Sequence, residues 1–298
     1  MDRVGASRVT QGALVAASMA SLQRRMEGMA AVQEQLSTGK VINRPSDSPT
    51  DTTAAMRMRS ALAQQKQYLR NAQDGLAWTG LIDQTLGSVT DQVRRARELA
   101  LQGASASVSP AARTALAAEV RQIRQGVLDD ANTDYLGRPV FGGTTAGNDA
   151  YDATGAFVGV AEAVSRATAD GVRIRVDLPG TDVFGDGPTS VFAELDALAD
   201  ALEAGDETAI RASIDALGSR LETVSASRAG VGATTNRLER AVQQIQDSTI
   251  DLTSDLSDVE DVDLAKVLMD LQVQEVAYQA ALAGTARVLQ PSLVDFLR

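Results

Sequence analysis

The side chains best suited to chemistry in this chain are carboxylates. Asp247, Asp251, Asp255, Asp258, Glu260, Asp261 and Asp263 follow one another closely and could gather a divalent cation. At helical spacing most of them fall between apolar seam positions, so they read as a solvated helix face. Asp130–Ala131–Asn132–Thr133–Asp134 has the alternating oxygen donors with which a calcium loop begins. It lacks the glycine at the sixth position and the glutamate at the twelfth that complete such a loop. The chain has no His and no Cys, which removes imidazole acid–base catalysis, thiol nucleophiles and disulfides. Phosphate-binding glycine loops, nucleophile elbows and zinc patterns are absent as well. No catalytic, metal or cofactor residue is therefore expected, and the chain reads as a structural protein rather than an enzyme.

The elements around these side chains must then carry the function. Of 298 residues 44% are hydrophobic, mostly Ala, Leu and Val, yet only ten are aromatic. Ala and Leu are strong helix formers, so this composition suits long helices packed side by side. Net charge is −11 and unevenly placed: residues 1–130 hold 16 basic and 12 acidic side chains, residues 131–298 hold 12 and 27. That balance excludes a nucleic-acid partner and lets the two halves attract each other. The longest uncharged stretch, Val9 to Gln23, is too short and too polar to span a bilayer. Arg3 and Arg8 precede GALVAASMAS (12–21), a weak match to a signal peptide. The helical stripe that follows runs straight through it, so this segment is read as retained helix.

Heptad spacing marks both ends. Met19, Leu22, Met26, Met29, Gln33 and Leu36 step by three and four, as do Leu264, Leu268, Leu271, Glu275, Tyr278, Leu282, Thr285 and Leu289. Two further seams lie inside, Ile82 to Ala100 and Val231 to Val259. Shorter helices are expected after Ser109–Pro110, from Ser190 to Gly205, and from Asp206 onward, each with a cap residue at its boundary. Between Asn43 and Pro49, Asn43–Arg44–Pro45–Ser46–Asp47–Ser48–Pro49 forms a loop. Pro45 and Pro49 stop helix there, and Ser46 and Asp47 can cap backbone N–H groups. Residues 135–190 concentrate Gly and half of the aromatics, with PVFGG (139–143), AFVGV (156–160) and VRIRVDL (172–178) as expected strands.

These patterns predict a mainly α fold: a long helical hairpin or coiled-coil rod with its terminal helices paired and a small β-rich insert at the far end. The expected divisions are residues 1–45 with 255–298 as paired terminal helices, 46–134 with 190–254 as a helical rod, and 135–189 as a β-rich outer domain. A lone amphipathic helix in water is marginal, and two of them still leave apolar surface uncovered. The terminal stripes are therefore candidate assembly surfaces.

The sequence resembles the flagellin superfamily. The resemblance rests on QLSTGKVINRPSDSPTDTTAAMRMRSALAQQKQYLRNAQDGL (35–76), RRARELALQGAS (94–105), SRAGVGATTNRLE (227–239) and QEVAYQAALAGTARVLQPSLVDFLR (274–298). Within it, the NRPSD loop (43–47), LPGTDVF (178–184) and the ending LQPSLVDFL (289–297) are more similar to the hook-associated protein 3 branch than to filament flagellin. The resemblance implies an extracellular flagellar subunit at the hook–filament junction, with filament flagellin as the alternative. It implies type III export with a retained N-terminus, free ends that order on assembly, and a loop 43–49 that touches neighbouring subunits. The implied partners are further copies of the chain in a ring, the preceding hook-associated junction protein, flagellin and an export chaperone. Met19, Leu22, Met26, Met29, Leu36, Leu264, Leu268, Leu271, Tyr278, Leu282, Leu289, Leu293 and Phe296 are the expected assembly residues.

Overall fold

The computed structural model describes residues 11–145, 147 and 149–289. Its elements are α1 Gln11–Thr38, α2 Pro49–Gly103, α3 Pro110–Ala131, β1 Asp134–Tyr135, β2 Arg138–Pro139, β3 Ser165–Ala169, β4 Val172–Arg175, α4 Gly180–Val183, α5 Val191–Ala204, α6 Glu207–Glu260 and α7 Leu264–Leu289. The fold is mainly α with a small β-rich part. The chain forms two compact units, residues 1–63 with 250–298 and residues 64–249. The long helices α2 and α6 contribute to both.

Local chemistry sets the helix boundaries. Ser109 caps α3 by accepting from the Ala112 N–H, with Pro110 at the first helical position, where no N–H is needed. Ser190 caps α5 by accepting from Ala193, and Gly205 ends it in the left-handed region at φ 70°. Asp206 then accepts from the N–H groups of Thr208 and Ala209 and opens α6. The stretches read separately as 206–221 and 231–259 are one helix of 54 residues. It runs through Gly218, Gly230 and Gly232, because packing along its length outweighs the cost of about 1 kcal/mol per interior glycine.

In the unit of residues 64–249, Ile82, Leu86, Val89, Val93, Ala96 and Ala100 of α2 are fully buried. They meet Leu116, Val120 and Val127 of α3, Leu195, Leu198 and Leu202 of α5, and Ile210, Leu217 and Leu238 of α6 in one core. Helices α3 and α5 pack together, and arginines of the basic half meet acids of the acidic half along them. Arg121 pairs with Glu203 and Asp200, and Arg124 with Asp196 at 2.8 Å.

The β-rich part is smaller in strand and richer in aromatic packing than its sequence suggests. Of PVFGG only Pro139 lies in a strand, and of AFVGV only Phe157 and Val160 form isolated bridges. VRIRVDL is strand over Val172–Arg175 alone, paired with β3. Phe141 and Phe157 are apolar because they pack, not because they pleat. Phe141 meets Phe184 edge-on at 5.0 Å, and Tyr151 touches Phe157, Phe184 and Phe192. The Tyr151 hydroxyl donates to the Gly185 carbonyl at 2.9 Å, and burial raises its pKa. Gly143 sits at φ 62°, and a Cβ there would collide with the Val160 carbonyl oxygen, so only glycine fits.

The β1–β2 turn holds Leu136 and Gly137 at φ 54° and 77°. With positive φ at both central positions this is a type I′ turn, where Asn-Gly is favoured. Leu136 is also 83% exposed, so its side chain returns nothing for its backbone strain. Leu136→Asn is expected to raise unfolding free energy by about 1 kcal/mol. Denaturant unfolding of the two proteins checks this, and an unchanged or lower midpoint counts against it.

Candidate assembly surface

The unit of residues 1–63 with 250–298 pairs α1 with α7. Along α1, Ser18, Leu22, Arg25, Met29, Val32 and Leu36 are half-buried, at steps of four and three. Along α7, Val267 is buried, and Leu271, Gln274, Tyr278, Ala281 and Thr285 are half-buried with the same steps. This is coiled-coil packing, and it uses small residues that let the helices approach closely. Gly28 faces Gln274, for instance, with a Cβ position 3.7 Å from its amide oxygen.

Of the residues expected on this surface, Leu22, Met29, Leu36, Leu271 and Tyr278 lie on the seam. Met19, Met26, Leu264, Leu268 and Leu282 lie beside it and are exposed. The polar interruptions Gln33 and Glu275 are also exposed. Leu289 closes α7, while Leu293 and Phe296 lie outside the described residues.

Helix α7 carries a second apolar arc that periodicity alone did not single out. Met269, Val273 and Val276 follow each other by four and three on the side away from α1, each at least 60% exposed. Exposed Ala280 and Ala283 continue the arc. Burying a fully exposed side chain of this size is worth about 1.5–3 kcal/mol, and these three are about two-thirds exposed, so roughly 3–5 kcal/mol of burial stays unused in a single copy. A helix apolar on opposite sides is built for cover on both.

The loop after α1 is tightly organised. Gly39 ends the helix at φ 70°, its N–H bonded to the Gln35 carbonyl at 2.8 Å. One Asp47 carboxylate oxygen accepts from the N–H groups of Asn43 at 3.1 Å and Arg44 at 2.8 Å. The cap of α2 is Ser48: its hydroxyl accepts from the Asp51 N–H and donates to the Asp51 carboxylate at 2.6 Å. Pro49 takes the first helical position. Arg44 reaches back to Glu34 at 3.1 Å, and Pro45 and Ser46 are exposed.

This loop is stitched to the break between α6 and α7. The Val41 N–H donates to the Glu260 carbonyl at 2.7 Å, and the Val262 N–H to the Gly39 carbonyl at 3.1 Å. Beneath them the Glu260 side chain is buried, 4% exposed. Its carboxylate accepts from Lys40 at 2.9 Å and Arg59 at 2.7 Å. Burial, the largest single influence, pushes the Glu260 pKa up, but the two cations together outweigh it and hold it below the usual range. The acidic series was read as one solvated face. Its other six members are exposed, and Glu260 is the exception.

Among the described residues, no group of three or more acids could hold a metal ion. Asp130 of the calcium-like stretch accepts instead from Gln92 at 2.8 Å. No described helix is long and apolar enough to cross a membrane.

The chain matches the family model for the bacterial flagellin N-terminal helical region over residues 10–146 and that for the C-terminal helical region over residues 214–297. Flagellar hook-associated protein 3 of Escherichia coli K12 is 29% identical over 274 residues, covering 83% of this chain and 86% of that protein. A flagellin of Halalkalibacterium halodurans is 28% identical over 257 residues, covering 86% of each. The crystal structure of Bacillus cereus FlgL shares the fold, with a TM-score of 0.60 at 23% identity over 67% of this chain and 99% of that one. Matched in order at both ends, the chain belongs to the bacterial flagellin family.

Proposed function

We propose that the chain is a structural subunit of the bacterial flagellum that joins hook to filament. The observation that carries a structural role is the two-sided α7: one face packs on α1 and the other stays apolar in water. Packing of copies around a common axis would cover the second face, with residues 1–45 and 255–298 as the axial region. Similarity to a hook-associated protein 3 over most of both chains favours the junction, as do the NRPSD loop and the LPGTDVF stretch. Similarity to a flagellin at nearly the same identity favours filament flagellin as the second reading. Export to the cell surface, a ring of copies, and contacts with the preceding junction protein, flagellin and a chaperone follow from the junction reading.

Labelling the protein on cells and locating it by electron microscopy decides between the two readings. A single band at the distal end of the hook is expected. Label along the whole filament would promote flagellin, and absence from flagella would overturn both.

A further inference from the structure

The unit of residues 64–249 contains an open groove of about 550 Å³ between α6 and the β3–β4 hairpin. Its floor is apolar, made by Val172, Ile174, Ala241 and Ile245, and Val172 is half exposed there. Arg237 and Arg240, one helical turn apart, line it as well. Neither makes an ion pair among the described residues, and Arg240 bonds only the carbonyl of Asn236 on its own helix, at 3.1 Å. Arg113, Arg121, Arg124, Arg166, Arg175, Arg220 and Arg228 of the same unit pair with carboxylates, whereas Arg70, Arg97, Arg138, Arg173 and Arg211 do not among the described residues; Arg237 and Arg240 stand apart by lining this groove. Two unpaired guanidiniums above an apolar floor fit a ridge that offers carboxylates on either side of an apolar side chain.

The chain displays such a ridge further along α6. Asp247, Ile250, Asp251, Ser254 and Asp258 share one exposed helix face, and Ile250 is 67% exposed between its acids. Groove and ridge lie on one continuous helix, so a copy cannot bring its own ridge into its own groove. We infer that the Arg237–Arg240 groove receives the Asp247–Ile250–Asp251 ridge of a second copy of this chain. The contact joins two different surfaces, so it passes from copy to copy and closes into a ring or continues as a helix. It rests on the self-assembly proposed above and gives that assembly a lateral contact distinct from the α7 face. Being charge-led, it weakens with salt.

The chain has no cysteine, so introduced thiols report cleanly. In flagella isolated from cells making the Gln244→Cys, Ser254→Cys double variant, mild oxidation is expected to give a ladder of cross-linked copies. Neither single variant should do so. Arg237→Glu with Arg240→Glu should lower the ladder yield at least tenfold, as should Asp247→Arg with Asp251→Arg. Combining all four reversals should restore it. An absent ladder from a protein that still bands at the hook end overturns this contact and leaves the junction role standing. An unchanged ladder on charge reversal, no restoration by the fourfold swap, or a Gln244→Cys adduct to a different protein also overturns it. A chain missing from flagella overturns both readings.

Discussion

A Val276→Asp chain is expected to fold like its parent and to be missing from the flagellum. Val276 is 66% exposed on the face of α7 away from α1, so a carboxylate there stays in water in the single copy. Surface substitutions of this kind change stability by no more than about 0.5 kcal/mol. In an assembly that covers this face, the same carboxylate is buried without a partner, at a cost on the order of 3–5 kcal/mol per copy. Every copy in a ring bears that cost. Leu268→Asp and Leu282→Asp, beside the α1 seam, are expected to act in the same direction. Leu271→Asp lies on the seam and should instead loosen the α1–α7 pair within one chain. Circular dichroism of purified protein and swimming of cells carrying each variant separate these cases. Wild-type swimming with Val276→Asp incorporated would show that the outer face stays uncovered.

Where one residue decides the backbone, the sequence was legible. Ser109 with Pro110, Ser190, Gly205 and Asp206 mark their helix ends by chemistry that needs no tertiary context. The first inner seam was legible because large side chains there have one place to go: Ile82, Leu86, Val89, Val93, Ala96 and Ala100 are all buried, while of the second seam Val231, Leu238 and Ile245 are buried and the rest half-buried. The β-rich part was less so. Its apolar clusters were read as pleated strands, although Phe141 is placed by aromatic packing and Phe157 by aromatic packing and an isolated bridge. The strand β3 went unseen since SRATA is polar and short. Its signal was the Asp170–Gly171 turn before β4, with Gly171 at φ 67°.

The assembly surface shows a different limit. The 3–4 rule picks the bulkiest residues, and on α1 those include Met19 and Met26, which are exposed. The helix contact instead uses Ser18, Arg25, Gly28 and Val32, because close approach favours small side chains and long stems with wet heads. A helix apolar on two opposite sides also blurs its own period, which hid Met269, Val273 and Val276. Glu260 was hidden among six exposed acids. Its place next to the seam residue Val259 was the available sign, but its partners Lys40 and Arg59 lie some two hundred residues away.

That buried carboxylate carries the second large effect. In Glu260→Gln the shape remains while the charge that draws in Lys40 and Arg59 is gone. Hydrogen bonds to a charged group are worth about 1.5–3 kcal/mol, so the stitch between residues 39–41 and 260–262 should open roughly ten- to a hundredfold more often. Hydrogen exchange at the Val41 and Val262 amides reads this directly, as both donate across the stitch. The pH dependence follows from the lowered pKa. A carboxyl whose folded pKa lies below its unfolded value stabilises fully above the ordinary glutamate value, near 4.3. That contribution is lost as pH falls through the folded value. After correction for intrinsic exchange rates, protection at Val41 and Val262 should hold from neutral pH to about 5 and decline below about 4. Glu260→Gln should show low protection throughout and no added loss in acid from this site. Equal protection in the two proteins at neutral pH would mean that the backbone bonds alone hold the stitch, and that the buried Glu260 charge adds nothing to it.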